Sequence, residues 1–122
     1  MPVMRPKVIG IVGSRRRILT ADYMKLVRVF DDIYREGDWI LSGGCKIGAD
    51  AWAEMISDER SIHMMIYDAD WDNLGKKAGP LRGIEIGRDC DVLIAIVSED
   101  RTGGTEYPVK EADRLKKRIY LI

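Results

Sequence analysis

The chain carries one histidine, one phenylalanine and two cysteines in 122 residues, and these shortages close off several chemistries at once. His63 has no second histidine to share a zinc ion or complete a Ser-His-Asp triad; a packed or surface role on the third strand is expected for it. Cys45 and Cys90 form no C-x-x-C pair and no disulfide framework, so a reducing, cytoplasmic setting is expected. The longest apolar runs are strand-sized, far short of the ~20 residues of a membrane helix, and no membrane partner is expected. Met1–Lys7 holds charge and proline but no apolar run of signal-peptide type. An excess of either charge is also missing: Lys+Arg and Asp+Glu both number 20, so no general affinity for a polyanion follows. Arg15–Arg17, Lys76-Lys77 and Lys116–Arg118 are short basic clusters, but balanced charge and few aromatics argue against a nucleic-acid partner.

Familiar ligand motifs are absent too. No G-x-G-x-x-G marks a dinucleotide fingerprint. Ser42-Gly43-Gly44-Cys45-Lys46-Ile47-Gly48-Ala49-Asp50 spaces Gly43 and Gly48 like a P-loop, yet Ala49-Asp50 stands where lysine and Ser/Thr are required, so Walker-type hydrolysis is not expected. Asp68-Ala69-Asp70-Trp71-Asp72-Asn73 alternates carboxylates as a calcium loop does, but Asn73 replaces the turn glycine and Gly79 the terminal glutamate. Neither a metal nor a bound cofactor is expected.

What is present is an alternation of strand-like and helix-like segments without repeats or linkers. Val8–Val12 is a continuous β-branched run of the kind covered on both faces. Thr20 is placed to cap the next helix. Tyr23, Leu26, Val27, Phe30, Ile33 and Tyr34 then form one apolar stripe, with Gly37 as a stop. Trp39–Ser42 reads as a second strand, Ala49–Ile56 as a second helix and Ile62–Tyr67 as a third strand. After an Asp68–Asn73 loop, a third helix runs from about Pro80 to Arg88. Val92–Val97 is a fourth strand, Pro108 opens a fourth helix, and Arg118–Ile122 ends the chain as a fifth strand. The pattern predicts one domain over residues 1–122: an α/β, Rossmann-like three-layer sandwich with a five-stranded parallel sheet. Strand order 3-2-1-4-5 would put a topological switch between the first and fourth strands.

Three strand-to-helix loops share glycine and small polar residues, and in a parallel sheet such loops lie along one edge. Bare backbone amides and helix N-termini there suit phosphate. In the first, Gly13 turns the chain, Ser14 offers a hydroxyl and Arg15 can fork onto an anion; the other two arginines are expected on the surface. In the second, Ser42, Gly43 and Gly44 line a turn, with Asp50 expected to steady it rather than meet a ribose. In the last, Gly103, Gly104 and Thr105 precede Glu106, which either serves ribose hydroxyls and acid–base chemistry or stabilises the helix start. Between them lies Leu74–Gly83, whose Lys76, Lys77, Gly79 and Arg82 could close over a ligand. Trp71 is either a stacking platform or a core anchor, with burial the expectation.

Taken together, Gly13-Ser14-Arg15, Ser42-Gly43-Gly44 through Gly48-Ala49-Asp50, Asp70-Trp71 with Gly75-Lys76-Lys77-Ala78-Gly79-Pro80-Leu81-Arg82, and Gly103-Gly104-Thr105 resemble the SLOG superfamily, most closely its YspA-like branch. The resemblance covers nearly the whole chain. It implies a fold that binds nucleotides or their derivatives, among relatives that include LOG-type phosphoribohydrolases, sensors of NAD-derived signals and the DNA-processing protein DprA. The LOG enzymes use an arginine near the third helix and a glutamate after a glycine-rich loop, and Arg82 and Glu106 are the counterparts here. The shorter Gly-Gly-Thr departs from the LOG loop, and Glu111 competes with Glu106. The leading expectation is a binding or sensor domain for a nucleotide-like small molecule held by Gly13, Ser14, Arg15, Ser42, Gly43, Gly44, Gly79, Arg82, Gly103, Gly104, Thr105 and Glu106. The alternative is an N-glycosidase that releases a base from a nucleoside monophosphate or an NAD-like compound, with Glu106 and Arg82 as its catalytic pair. A homodimer is expected.

Overall fold

The computed structural model describes residues 5–122; the leader-free reading of the chain start falls partly on residues 1–4, outside that range. Five parallel strands form one sheet in the order β3-β2-β1-β4-β5, the predicted order. They are β1 Val8–Gly13, β2 Trp39–Gly43, β3 Met64–Tyr67, β4 Val92–Ile96 and β5 Arg118–Leu121. The helices are α1 Thr20–Ile33, α2 Ala49–Arg60, a single turn α3 Trp71–Leu74, α4 Ala78–Asp89 and α5 Glu106–Arg114, with a 3-10 turn over Gly75–Lys77. None of the described helices is long and apolar enough to cross a membrane.

Alternation along β1 and β4 divides the interior into two cores, because successive strand side chains face opposite ways. Ile9, Ile11, Ile94 and Ile96 pack with Leu26 and Phe30 of α1 and Ala53 and Ile56 of α2. Val8, Val12, Leu93 and Ala95 pack with Ile86 of α4 and Val109 and Ala112 of α5. Each large apolar side chain taken fully out of water contributes roughly 1.5–3 kcal/mol, and Phe30, Leu26, Ile40 and Leu93 are all 0% exposed. Such double coverage is why these strands read as unbroken apolar runs. The chain steps outward from β1 through β2 to β3, then returns across β1 to β4. With right-handed connections, that reversal sends α4 and α5 to the face opposite α1 and α2. The loops after β1 and β4 diverge there, at the carboxyl edge of adjacent strands paired Gly13 to Ile96.

Several boundaries differ from the sequence reading. Leu19, not Thr20, caps α1, and the Leu19 amide donates to the Asp22 carboxylate at 3.1 Å. The Asp22 carboxylate thus satisfies the Leu19 amide, while the amides of Asp22 and Tyr23 donate to the Leu19 carbonyl at 2.9 and 3.2 Å in place of a capping hydroxyl. Helix α1 ends at Ile33, so Gly37, at φ +95°, serves the turn into β2 rather than the helix stop. Pro108 is the third residue of α5, which opens at Glu106. The expected Asp68–Asn73 loop runs into α3 from Trp71, and Asp70 caps that turn by accepting from the Asn73 amide at 3.3 Å. His63 precedes β3 and lies exposed, its ring 4.3 Å from that of Trp39 at the amino edge of the sheet.

Candidate functional site

At the carboxyl edge, the loops after β1, β2 and β4 meet the start of α4 around an open cleft of about 750 Å³. The β1 loop contributes Gly13, Ser14 and Arg15. A Cβ on Gly13 would stand 2.7 Å from that of Ala49 and 3.1 Å from that of Ile96, so only glycine lets the strand end pass between α2 and β4. The Ser14 amide donates to the Ile96 carbonyl at 2.8 Å, and the Ser14 hydroxyl accepts from the Arg16 amide at 3.1 Å.

The three consecutive arginines have three different environments. Arg15 is exposed in the cleft and joins none of the ion pairs among the described residues. Arg16 donates to the Asp100 carboxylate at 3.0 Å and to the Thr102 carbonyl at 3.0 Å. Arg17 turns inward, donating to the carbonyls of Val97 at 2.7 Å and Ile122 at 3.0 Å and to the Asp22 carboxylate. Arg16 is thus on the surface, as expected, although paired, whereas the inward turn of Arg17 corrects the expectation of a surface position for it. The Arg17 guanidinium holds the Asp22 carboxyl below its ordinary value, outweighing the opposing effect of burial.

On the β2 loop the structure separates residues that the sequence reading grouped. The Ser42 hydroxyl is fully buried, 2.7 Å from the Ile11 carbonyl and 2.9 Å from Asp50 Oδ1, and does not face the cleft. Gly44 also lies outside the cleft lining; a Cβ there would meet Asp68 Oδ1 at 2.7 Å. Gly43 does line it, and a Cβ would stand 2.8 Å from Asp50 Oδ2 and 3.2 Å from Arg82 Cζ. The missing side chain is what lets a carboxylate and a guanidinium approach the same strand end. Asp50 accepts from the Cys45 amide at 3.1 Å and so pins this turn, the structural role expected of it.

Arg82 projects from α4 toward Gly43, half-buried, and joins no ion pair among the described residues. The Asp50 carboxylate reaches the same Gly43 position without pairing to Arg82, so this partly buried guanidinium keeps strong donors free for an anion. Gly79 and Gly83 of the same helix line the cleft beside it, while Lys76 and Lys77 do not. Gly83 and Gly87 let α5 approach closely: their Cβ positions lie 2.9 Å from Pro108 Cδ and 2.5 Å from the Pro108 carbonyl oxygen. That packing carries Glu106 to the cleft.

After β4, Gly103, Gly104, Thr105 and Glu106 line the cleft, with Gly103 at φ +101°. Glu106 is gripped by Arg101, whose Nε and Nη2 each donate to a different carboxylate oxygen at 3.0 Å. Arg101 adopts a left-handed backbone, φ +54°, that is uncommon for a side chain of its size. Upstream, Asp100 accepts from Arg16, Thr102 and Ser98, in that order of effect, and its carboxyl lies well below the usual carboxylate range. Glu111 pairs with Arg114 and stands outside the cleft lining, so it does not compete with Glu106.

Trp71 overturns the expectation of burial: it is 54% exposed and lines the cleft, with its ring 3.1 Å from the Cβ position of Gly79. Helix α3 sits on the surface because Asp70 caps it in the loop after β3, clear of both cores. The sequence reading also missed Lys110, Cys45 and Tyr107 as lining residues. The Glu106–Lys110 spacing, one helical turn, is the signal that could have found Lys110. Charges in the cleft are unequal once internal pairs are removed. Glu106 is paired with Arg101, and Asp50 keeps its charge because only neutral donors hold it; Arg15, Arg82 and Lys110 join no ion pair among the described residues, so positive charge still exceeds negative. The amino ends of α2 and α5 open beside them, adding positive potential. No protein-family model matches the chain and no curated protein matches it, so the likeness to the SLOG superfamily rests on the motif residues alone.

Proposed function

We propose that the protein binds a nucleotide or nucleotide-derived small molecule at the carboxyl edge of its sheet, as a binding or sensor domain related to the YspA-like branch of the SLOG superfamily. The observation that carries this reading is Arg82: a half-buried guanidinium without an ion-pair partner among the described residues, beside Gly43 where no side chain stands in the way. Gly13, Gly103 and Gly104 present bare backbone to the same space. In this reading Arg82 and Arg15 hold phosphate, Lys110 adds charge, and the Arg101–Glu106 pair faces the sugar. Arg82→Ala should weaken the binding of a nucleoside monophosphate by about 1.5–3 kcal/mol, the scale of a hydrogen bond to a charged group. Titration calorimetry tests it; equal affinity in the variant would refute the site.

The alternative, release of a base by N-glycosidic cleavage, draws support from Glu106 lying in the cleft with its side chain only 13% exposed. That carboxylate would steady an oxocarbenium-like sugar. The bidentate grip of Arg101 weighs against it, since a carboxylate matched to a guanidinium offers little charge to a developing cation. Free base released by the native protein, and lost in Glu106→Gln with binding retained, would establish this second reading. We further assign the protein to a reducing cytoplasm, where both cysteines remain thiols, and to a homodimer, which sedimentation velocity would test.

A further inference from the structure

Resting on that reading of the cleft, we propose that Trp71 selects the ligand by stacking on a planar heterocycle, so that the compound taken is a sugar phosphate bearing an aromatic base rather than a bare sugar phosphate. The protein has three tryptophans. Trp39 packs on His63, with ring centroids 4.3 Å apart, and Trp52 packs on Tyr23 at 5.5 Å. Trp71 has no aromatic neighbour among the described residues; it stands 54% exposed, on the lining of the cleft.

Its position is fixed by the fold. Asp70 caps the turn that carries Trp71, accepting from the Asn73 amide and side chain. Gly79, the second residue of α4, gives the indole room, because a Cβ there would press on the ring at 3.1 Å. The close contact with Trp71 is a packing reason for glycine at this position. The ring therefore rests against the start of α4 while about half of it faces solvent. Arg82 projects from the same helix three residues later, about one turn or ~5 Å along the axis. Trp71 and Arg82 both line the cleft, so a ligand whose ring stacks on one can set its anion against the other. An aromatic platform beside a cation recognises a base with its phosphate, and stacking on such a platform is worth about 5- to 150-fold in affinity.

The test titrates AMP, GMP, CMP, UMP and ribose 5-phosphate into the native protein, Trp71→Leu and Trp71→Phe, by calorimetry and by tryptophan emission. For the native protein, at least one monophosphate is expected to bind tenfold or more tighter than ribose 5-phosphate and to quench emission. Trp71→Leu should erase that preference while leaving the ribose 5-phosphate affinity unchanged. Trp71→Phe should retain most of the preference and lose the quench. A preference that survives Trp71→Leu, or that is lost in Tyr107→Leu instead, overturns the assignment and leaves the Arg82 site standing. Equal native affinity for all five compounds overturns it likewise. No binding of any compound overturns both this inference and the phosphate reading beneath it.

Discussion

Gly87→Ala is the substitution whose consequence the packing fixes most tightly. In an isolated helix it would stabilise by about 1 kcal/mol, since alanine is the better helix former. Here the new methyl would lie 2.5 Å from the Pro108 carbonyl oxygen, 3.0 Å from Glu111 Cβ and 3.1 Å from Pro108 Cα. Two of these neighbours are backbone atoms, so no side-chain rotation relieves the contact and α5 must move away from α4. Overpacking of this kind costs about 1–3 kcal/mol; taking the upper end against the helical gain leaves a net loss of about 2 kcal/mol. An unfolding entropy of roughly 2.1 cal/mol/K per residue over 122 residues is about 0.26 kcal/mol/K, so Tm should fall by about 8 °C. Gly104→Ala is the control, because nothing lies within 4 Å of its Cβ position and its φ is not positive; its Tm should stay within about 2 °C of the native value. Differential scanning calorimetry reads both. A Gly87→Ala protein as stable as the native one would refute the argument that α4 and α5 meet through bare backbone.

Arg17→Met should destabilise the fold by about 3 kcal/mol in urea unfolding, as expected when one partner of a buried ion pair is removed. The depressed Asp22 value makes that difference depend on pH: the contribution is complete above the ordinary 3.8 and is lost as pH falls through the folded-state value. The gap between native and variant should therefore narrow in acid, and a gap that widened would contradict the pairing. Burial pushes the Cys90 thiol up to about 11, whereas Cys45 is part-exposed in the cleft. Iodoacetamide should label Cys45 first, and a bound nucleoside monophosphate should slow that labelling; preferential labelling of Cys90 would refute the burial argument. Tyr67, donating to Asp89 at 2.7 Å, is pushed up to about 12. Asp89→Asn should bring one phenol back toward 10 in an ultraviolet titration, and no change would dismiss the hydrogen bond as its cause.

The sheet could be read from the sequence because its evidence is local. The short apolar runs of β1 and β4, bounded by turn residues, read as strands buried on both faces, and the glycine-containing loops that follow them mark the sheet edge. Side-chain direction within the loops was harder to read. Ser42, Gly43 and Gly44 are neighbours in sequence, but alternation at a strand end turns only Gly43 toward α4 and the cleft. The surroundings of Arg17 and Arg82 could not be read either: Val97 and Ile122 reach Arg17 only through the strand order, and nothing in the sequence says that Arg82 joins no ion pair among the described residues. Trp71 was misjudged because aromatic size argues for burial, whereas the Asp70 cap holds its helical turn outside both cores.

The bonds that tie the β1 loop to the β4 loop also govern how quickly the cleft can accept a ligand. Ser14 is fastened to Ile96, and Arg16 to Asp100 and Thr102, all through contacts internal to the protein. The cradle is thus ordered during folding rather than during the encounter, and little backbone entropy remains to be lost when an anion arrives. Association through such a preformed rim needs no slow rearrangement, so differences in affinity among ligands should be expressed in how long each one stays.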